Sequence, residues 1–238
     1  MGRAFEYRKD RKMKRWGAMA KAFTRIGKEI AIAVKEGGSD PNYNPRLRMA
    51  VQSAKMANMP KANVENAIKR ATSKDAENYA EVLYEGYAPH GIAVMVETAT
   101  DNPTRTVANV RMHFNKGGGA MGTSGSVDYM FSRKSVFRIK NEGVDLESLE
   151  LELIDFGLEE MKVEEDEIAL YAAFADFGTM QKGLESKGIE VISAQSERIP
   201  TMTKKLNDDQ VEEVIKLIDR LEDDDDIQFV YHNMDMSE

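Results

Sequence analysis

Three histidines, one glycine-rich stretch and one run of four aspartates are the places where this chain of 238 residues could do chemistry. His90, His113 and His232 fall in a turn, on a helix and at a strand end, without the paired spacing that a zinc motif requires. There is no cysteine, which excludes thiol nucleophiles, thiolate metal sites and a disulfide framework. The stretch KGGGAMGTSGS, from Lys116 to Ser126, lacks the Gly-Lys-Ser/Thr ending of a phosphate-binding loop and follows a helix where such a loop precedes one. It also misses the Gly-x-Ser-x-Gly elbow, because Gly122-Thr123-Ser124-Gly125 is followed by Ser126. Two readings of it stay open: a mobile connection, or a flexible finger with Lys116, Gly117, Gly118 and Gly119 at its base that reaches a partner. The run from Asp223 to Asp226 has no partner at ligand spacing and reads as a solvated turn. Its charge is unfavourable at a helix C-terminus, so it is also placed to attract the basic arm when nucleic acid is absent. No metal, cofactor or catalytic group is expected, and an enzyme is the least supported class.

Charge carries the stronger signal. The net charge of −8 conceals a split: Met1 to Asp75 holds 18 Lys+Arg against 7 Asp+Glu, and the totals of 33 and 41 leave 15 against 34 for the remainder. A net of +11 joined to a net of −19 describes a polyanion-binding segment on a body that repels polyanions. Within it Arg3, Lys9, Arg11, Lys12, Lys14 and Arg15 are interleaved with Phe5, Tyr7 and Trp16, without apolar periodicity, which predicts an arm that orders on binding. Stacking on Phe5, Tyr7 and Trp16 would favour RNA or single strands. Alternatively a third helix bearing Asn63, Asn66, Lys69 and Arg70 would act as a recognition helix on duplex DNA.

These residues need elements to hold them. Met19, Ala22, Phe23, Ile26, Ile30, Ala33 and Val34 recur at helical spacing and Gly37-Gly38 supplies the stop. Asn44-Pro45 caps a second helix, and Pro60 opens a third carrying Val64, Ala67, Ile68 and Ala71. From Val82 the pattern becomes extended. Val82 to Tyr87 and Gly91 to Thr98 read as a hairpin about Ala88-Pro89-His90, Asn102-Pro103 starts a helix, and Ser126 to Phe131 reads as a strand.

From Ser135 to Ser193 the periods alternate as strand, helix, strand, strand, helix, strand, which is the ferredoxin-like order. Helix Asp208 to Glu222 and strand Ile227 to His232 would complete the earlier unit. The expected architecture is therefore an α + α/β chain: a basic arm and three-helix bundle over 1–75, then two ferredoxin-like α/β domains, one over 76–133 plus 203–238 and the other inserted at 134–202. No apolar run approaches the roughly 18 residues of a membrane span. Met1 to Trp16 lacks the apolar core of a signal peptide. A cytoplasmic monomer, away from membranes, is expected.

Gly37 to Ala71, GGSDPNYNPRLRMAVQSAKMANMPKANVENAIKRA, and Tyr84 to Phe131, YEGYAPHGIAVMVETATDNPTRTVANVRMHFNKGGGAMGTSGSVDYMF, closely resemble the YebC/PmpR family, as does Leu217 to Asn233, LIDRLEDDDDIQFVYHN. The resemblance implies a helical N-terminal domain followed by two α/β domains. It also implies a DNA-binding transcriptional regulator or, as in some members and mitochondrial relatives, a translation factor at the ribosome. It carries Lys21, Phe23, Thr24 and Arg25, then Asn44 to Arg48, and Asn102, Arg105 and Thr106, with Arg46 and Arg48 as the implied phosphate contacts. At the start the chain departs from the family's usual Gly-His-Ser-Lys-Trp, since Gly2-Arg3-Ala4-Phe5-Glu6 stands there. The expected function is a nucleic-acid-binding regulator of gene expression using the arm with Lys21, Arg25, Arg46 and Arg48. The alternatives are a ribosomal-RNA-binding translation factor and a scaffold that binds only protein through the acidic domains.

Overall fold

The computed structural model describes residues 19–73, 76–143, 145–164 and 166–236. Helix α1 (Met19–Gly37) buries Ile30, Ala33 and Val34 against Leu47, Ala50 and Ala54 of α2 (Pro45–Met56) and Val64 and Ala71 of α3 (Lys61–Ala71). Asn44, only 3% exposed, joins the first two helices. Its side-chain oxygen accepts from the Leu47 N–H at 3.0 Å, and its amide donates to the Ala33 and Gly38 carbonyls at 2.7 Å each. One cap thus satisfies orphan groups at two helix ends. Gly38 makes the exit from α1 with a φ of +84°, which costs glycine nothing sterically.

The first sheet is antiparallel throughout, its strands in the spatial order Ala120–Met121, Ala80–Ala88, Ile92–Thr100 and Ile227–His232. β1 (Ala80–Ala88) and β2 (Ile92–Thr100) pair along their whole length around a turn at Pro89–Gly91, where His90 and Gly91 have φ of 63° and 70°. α4 (Pro103–Lys116) follows, capped by Asn102, and then the two-residue β3 (Ala120–Met121). The chain next builds the second sheet and returns for α7 (Asp208–Glu222) and β8 (Ile227–His232). Val94, Val96, Phe114, Val214, Leu217 and Ile218 form the core between this sheet and α4 and α7.

The second sheet has the order β5-β6-β4-β7, built from β4 (Phe131–Lys140), α5 (Leu146–Ile154), β5 (Leu158–Val163), β6 (Glu167–Ala173), α6 (Phe177–Ser186) and β7 (Val191–Pro200). That is the ferredoxin-like order, with Phe137, Leu153, Leu170, Met180 and Leu184 in its core. Gln52 of α2 donates to the Val191 carbonyl, so the helical bundle touches this sheet as well as the first. No helix among the described residues is long and apolar enough to cross a membrane.

Three expectations need correction. Both sheets are antiparallel, so the chain is α+β and not α/β. The first sheet is not ferredoxin-like: the tight turn at His90-Gly91 makes β1 and β2 a hairpin, where that fold would place a helix between its first two strands. Ser126 to Phe131 is not a strand. Glu85 draws its N–H groups to a side chain, residues 128–130 form a 3₁₀ turn, and the edge strand lies earlier, at Ala120–Met121.

Candidate nucleic-acid interface

Arg3, Lys9, Arg11, Lys12, Lys14, Arg15 and Trp16 lie outside the described residues. Of the remaining basic candidates, those on α1 are turned toward the chain's own acid. Lys21, Arg25 and Lys28 fall at intervals of four and three, one stripe of the helix. The stripe faces the C-terminal end of α7. Lys21 Nζ donates to Asp223 Oδ1 at 2.6 Å, Arg25 Nη2 to the Glu222 carbonyl at 2.7 Å, and Lys28 Nζ to the Asp225 carbonyl at 2.8 Å and the Ala99 carbonyl at 2.9 Å. Cations at the carbonyl end of a helix meet its negative pole, so the stripe offsets a charge run that is locally unfavourable.

Asp223 to Asp226 is consequently a solvated turn only at the exposed Asp223 and Asp225, and not at Asp226. Asp226 is 5% exposed and accepts from Lys28 Nζ at 3.0 Å, Arg105 Nη2 at 2.7 Å and Thr106 Oγ1 at 2.9 Å. Burial by itself raises the Asp226 carboxyl's pKa, but the hydrogen bonds from Arg105, Lys28 and Thr106 outweigh it and hold it below the ordinary carboxylate value. Asp224 accepts from Asn109 and lies 3.2 Å from the His113 Nε2. Among the described residues no three His, Asp or Glu side chains converge to hold a metal ion. The run ties α1, β2, α4 and α7 together. Lys28, which meets Asp226 at the centre of that junction, is not among the residues the sequence marks as candidates, although the regular spacing of Lys21, Arg25 and Lys28 beside the apolar stripe is a usable sign.

Arg46 is also engaged internally, with Glu36 at 2.8 Å, Glu81 and, more distantly, Glu29 at 3.6 Å. Burial alone lowers its pKa, yet the Glu81, Glu29 and Glu36 carboxylates more than reverse that and fix its charge. Arg48, two residues on, differs. Its Nε is buried without a hydrogen-bond partner among the described residues. Lys69 and Arg70 are exposed on α3, and among the described residues neither side chain has an ionic partner. A groove of about 570 Å³ runs between α3 and α1, with Asn63, Asn66 and Arg70 on one side and Thr24, Gly27 and Lys28 on the other. The structure therefore brings Lys21 and Arg25 to the acidic turn, Arg46 to an acidic cluster, and Arg70 to an open groove.

The glycine-rich stretch is pinned by a buried carboxylate. Glu85, 4% exposed on β1, accepts from the N–H groups of Gly125 and Val127 at 2.7 Å and Asp128 at 2.9 Å. Burial raises its pKa, and these three backbone bonds outweigh that and lower it. Gly119 is there for packing: a Cβ on it would sit 2.4 Å from the Tyr87 carbonyl oxygen and 3.1 Å from Leu217. Gly117 would likewise strike Leu217, whereas Lys116 and Gly118 are exposed at the tip. Glu85 gave no sequence sign beyond an acid inside an apolar strand pattern.

Two family models match the chain. One, described as the TACO1/YebC protein N-terminal domain, covers residues 3–74, and the other, described as the TACO1/YebC second and third domain, covers 79–234. A probable transcriptional regulatory protein of Flavobacterium johnsoniae is 60% identical over 98% of this chain and 99% of that protein. One of Myxococcus xanthus is 56% identical over 98% and 100%. The crystal structure of a conserved hypothetical protein from Aquifex aeolicus superposes with a TM-score of 0.81 at 38% identity, covering 91% of this chain and 90% of that one. With both family models matched and such identity sustained end to end, the chain belongs to the TACO1/YebC family, the same YebC/PmpR family that its motifs resemble.

Proposed function

We propose that this protein is a non-enzymatic, cytoplasmic nucleic-acid-binding regulator of gene expression that acts on DNA, and the relatives named probable transcriptional regulatory proteins support the transcriptional part of this reading. Its contact surface comprises the arm, with Arg3, Lys9, Arg11, Lys12, Lys14, Arg15 and Trp16, together with Arg48, Lys69 and Arg70 of the helical bundle. We divide the chain accordingly into this basic unit over 1–75, a unit of 76–133 plus 203–238, and an inserted unit over 134–202. Lys21, Arg25 and Arg46 join the contact only when nucleic-acid phosphates displace their internal carboxylates and carbonyls. The observation that carries the reading is the sorting of charge: Lys69 and Arg70 of α3 have no ionic partner among the described residues, while Asp223 and Asp226 pair with Lys21 and Lys28 of α1.

The test is duplex-DNA binding by fluorescence anisotropy across a salt series. If roughly five to eight cationic side chains meet phosphates, the log–log slope is about −4.5 to −7. A flat salt response overturns the reading. Crosslinking in cells, with an arm-deleted control, identifies the target: promoter DNA supports transcriptional regulation, ribosomal RNA supports the translation-factor alternative instead, and recovery of no nucleic acid refutes both.

A further inference from the structure

The groove between α1 and α3 is lined by a glycine of α1 and by polar side chains of α3. Gly27 lies in the middle of the 19-residue α1, with no positive φ, and a Cβ added to it would meet nothing within 4 Å. The fold therefore does not require glycine there, and glycine inside a helix costs about 0.5–1 kcal/mol relative to alanine. What its absent side chain does is leave the helix backbone open as one wall of the groove, with Ala67 of α3 among the lining residues opposite. A flat ligand can lie against such a surface at van der Waals distance.

The polar groups stand where such a ligand's edges would fall. Asn63, Asn66 and Arg70 are at intervals of three and four on α3, so they share the face that lines the groove. Both asparagines are exposed, and neither side-chain amide has a partner among the described residues. Each amide offers an acceptor and two donors, the pairing a base edge needs. Arg70 adds a fixed charge beside Lys69, suited to a phosphate. At the far end Lys28 Nζ lies 5.4 Å from the centre of the Tyr79 ring, whose hydroxyl bonds Glu77, so that end is closed by the chain's own contacts.

We propose that this groove binds one unpaired nucleotide of a single-stranded nucleic acid: the base lies along Gly27 and Ala67, Asn63 and Asn66 meet its edge, and Arg70 meets the adjacent phosphate. A volume of about 570 Å³ suits a single nucleotide-sized ligand. A paired, stacked base cannot present its face and edge to such a groove without leaving the helix. This assignment rests on nucleic-acid binding and deepens it, by separating a base-holding site from the salt-sensitive phosphate contacts.

The experiment uses the full-length chain and fluorescein-labelled 12-mers of one mixed sequence as RNA, single-stranded DNA and duplex DNA, read by anisotropy at fixed salt. Gly27→Leu fills the groove from a position with free space, and Asn63→Ala/Asn66→Ala removes the edge contacts from exposed sites. Both variants are expected to melt no lower than the unmodified protein, to weaken single-strand binding by about tenfold, and to leave duplex affinity within about twofold. The loss on RNA, on single-stranded DNA or on both supports the groove, and the difference between those arms identifies the sugar it accepts. Unchanged single-strand affinity in the Asn63→Ala/Asn66→Ala variant, or an equal loss on single strands and duplex in both variants, overturns it. Failure of the unmodified protein to bind any of the three would instead refute nucleic-acid binding itself.

Discussion

Replacing Lys28 by Met tests whether the acidic turn is a structural junction. The ammonium makes three bonds, to the Ala99 carbonyl at 2.9 Å, the Asp225 carbonyl at 2.8 Å and Asp226 Oδ1 at 3.0 Å, and the two paired side chains are 9% and 8% exposed. Met preserves most of the volume and removes the charge. Breaking one side of a buried ion pair costs about 3–5 kcal/mol. Asp226 keeps Arg105 and Thr106, which places the expected loss at the lower end, about 3 kcal/mol. Urea unfolding reads it directly, and a Lys28→Met/Asp226→Leu double variant should recover part of the loss, with a coupling of at least about 1 kcal/mol. The dependence on pH has a definite sign. Asp226 has a depressed pKa in the folded chain, so its contribution is complete above the ordinary carboxylate value and is lost as pH falls through the folded one. The gap between unmodified and variant protein therefore narrows below about pH 4. A loss under about 0.5 kcal/mol at pH 7, the scale of an ordinary surface substitution, would refute the junction. So would a gap that widens as pH falls below the ordinary carboxylate value.

Glu85→Gln replaces a carboxylate that accepts three backbone N–H groups by a single acceptor and an opposed donor. A loss of about 2 kcal/mol is expected, with faster amide exchange at Gly125, Val127 and Asp128; retained protection at those amides would show that the carboxylate does not pin the loop. Gly119→Ala and Gly27→Ala should act in opposite directions. The first drives a Cβ to 2.4 Å from the Tyr87 carbonyl and lowers stability by about 1–3 kcal/mol. The second meets open space and raises stability by up to about 1 kcal/mol, and denaturation midpoints moving the same way for both would contradict the packing described for the two glycines.

What the sequence made legible was set by how local the cause is. Helix α7 begins at Asp208 and ends at Glu222, the bounds expected from the sequence, because its apolar period lies within the element, and the structure adds an Asn207 capping box at its start. The alternation of β4 to β7 likewise predicts the ferredoxin-like order, since each period change is short-range. The strand expected at Ser126 to Phe131 failed for a non-local reason: a carboxylate from a distant strand takes the N–H groups that a ladder would need. Asp223 to Asp226 failed in the same way. Nothing within those four residues shows that Lys21 and Lys28 of α1 and Arg105 of α4 converge on them. Arg46 shows the limit of reading a binding residue from its type, since Glu29, Glu36 and Glu81 reach it from other elements.

The same contacts change what the N-terminal excess of charge means. A net of +11 over 1–75 suggests a broad phosphate-binding surface, yet Lys21, Arg25, Lys28, Lys35 and Arg46 are all engaged within the chain. Those contacts are not equivalent. The Lys21–Asp223 pair has side chains 40% and 78% exposed and contributes at most about 1 kcal/mol, so a phosphate can displace it cheaply. Lys28 is buried between two carbonyls and a carboxylate, and displacing it would separate α1 from the first sheet. Phosphates therefore compete with Asp223 for the outer end of the stripe long before they reach its inner end. Asp223→Asn should accordingly strengthen duplex binding severalfold at low salt and leave the melting temperature unchanged. Equal affinity at every salt concentration would mean that Lys21 takes no part in the contact, and that the arm and α3 carry the phosphates alone.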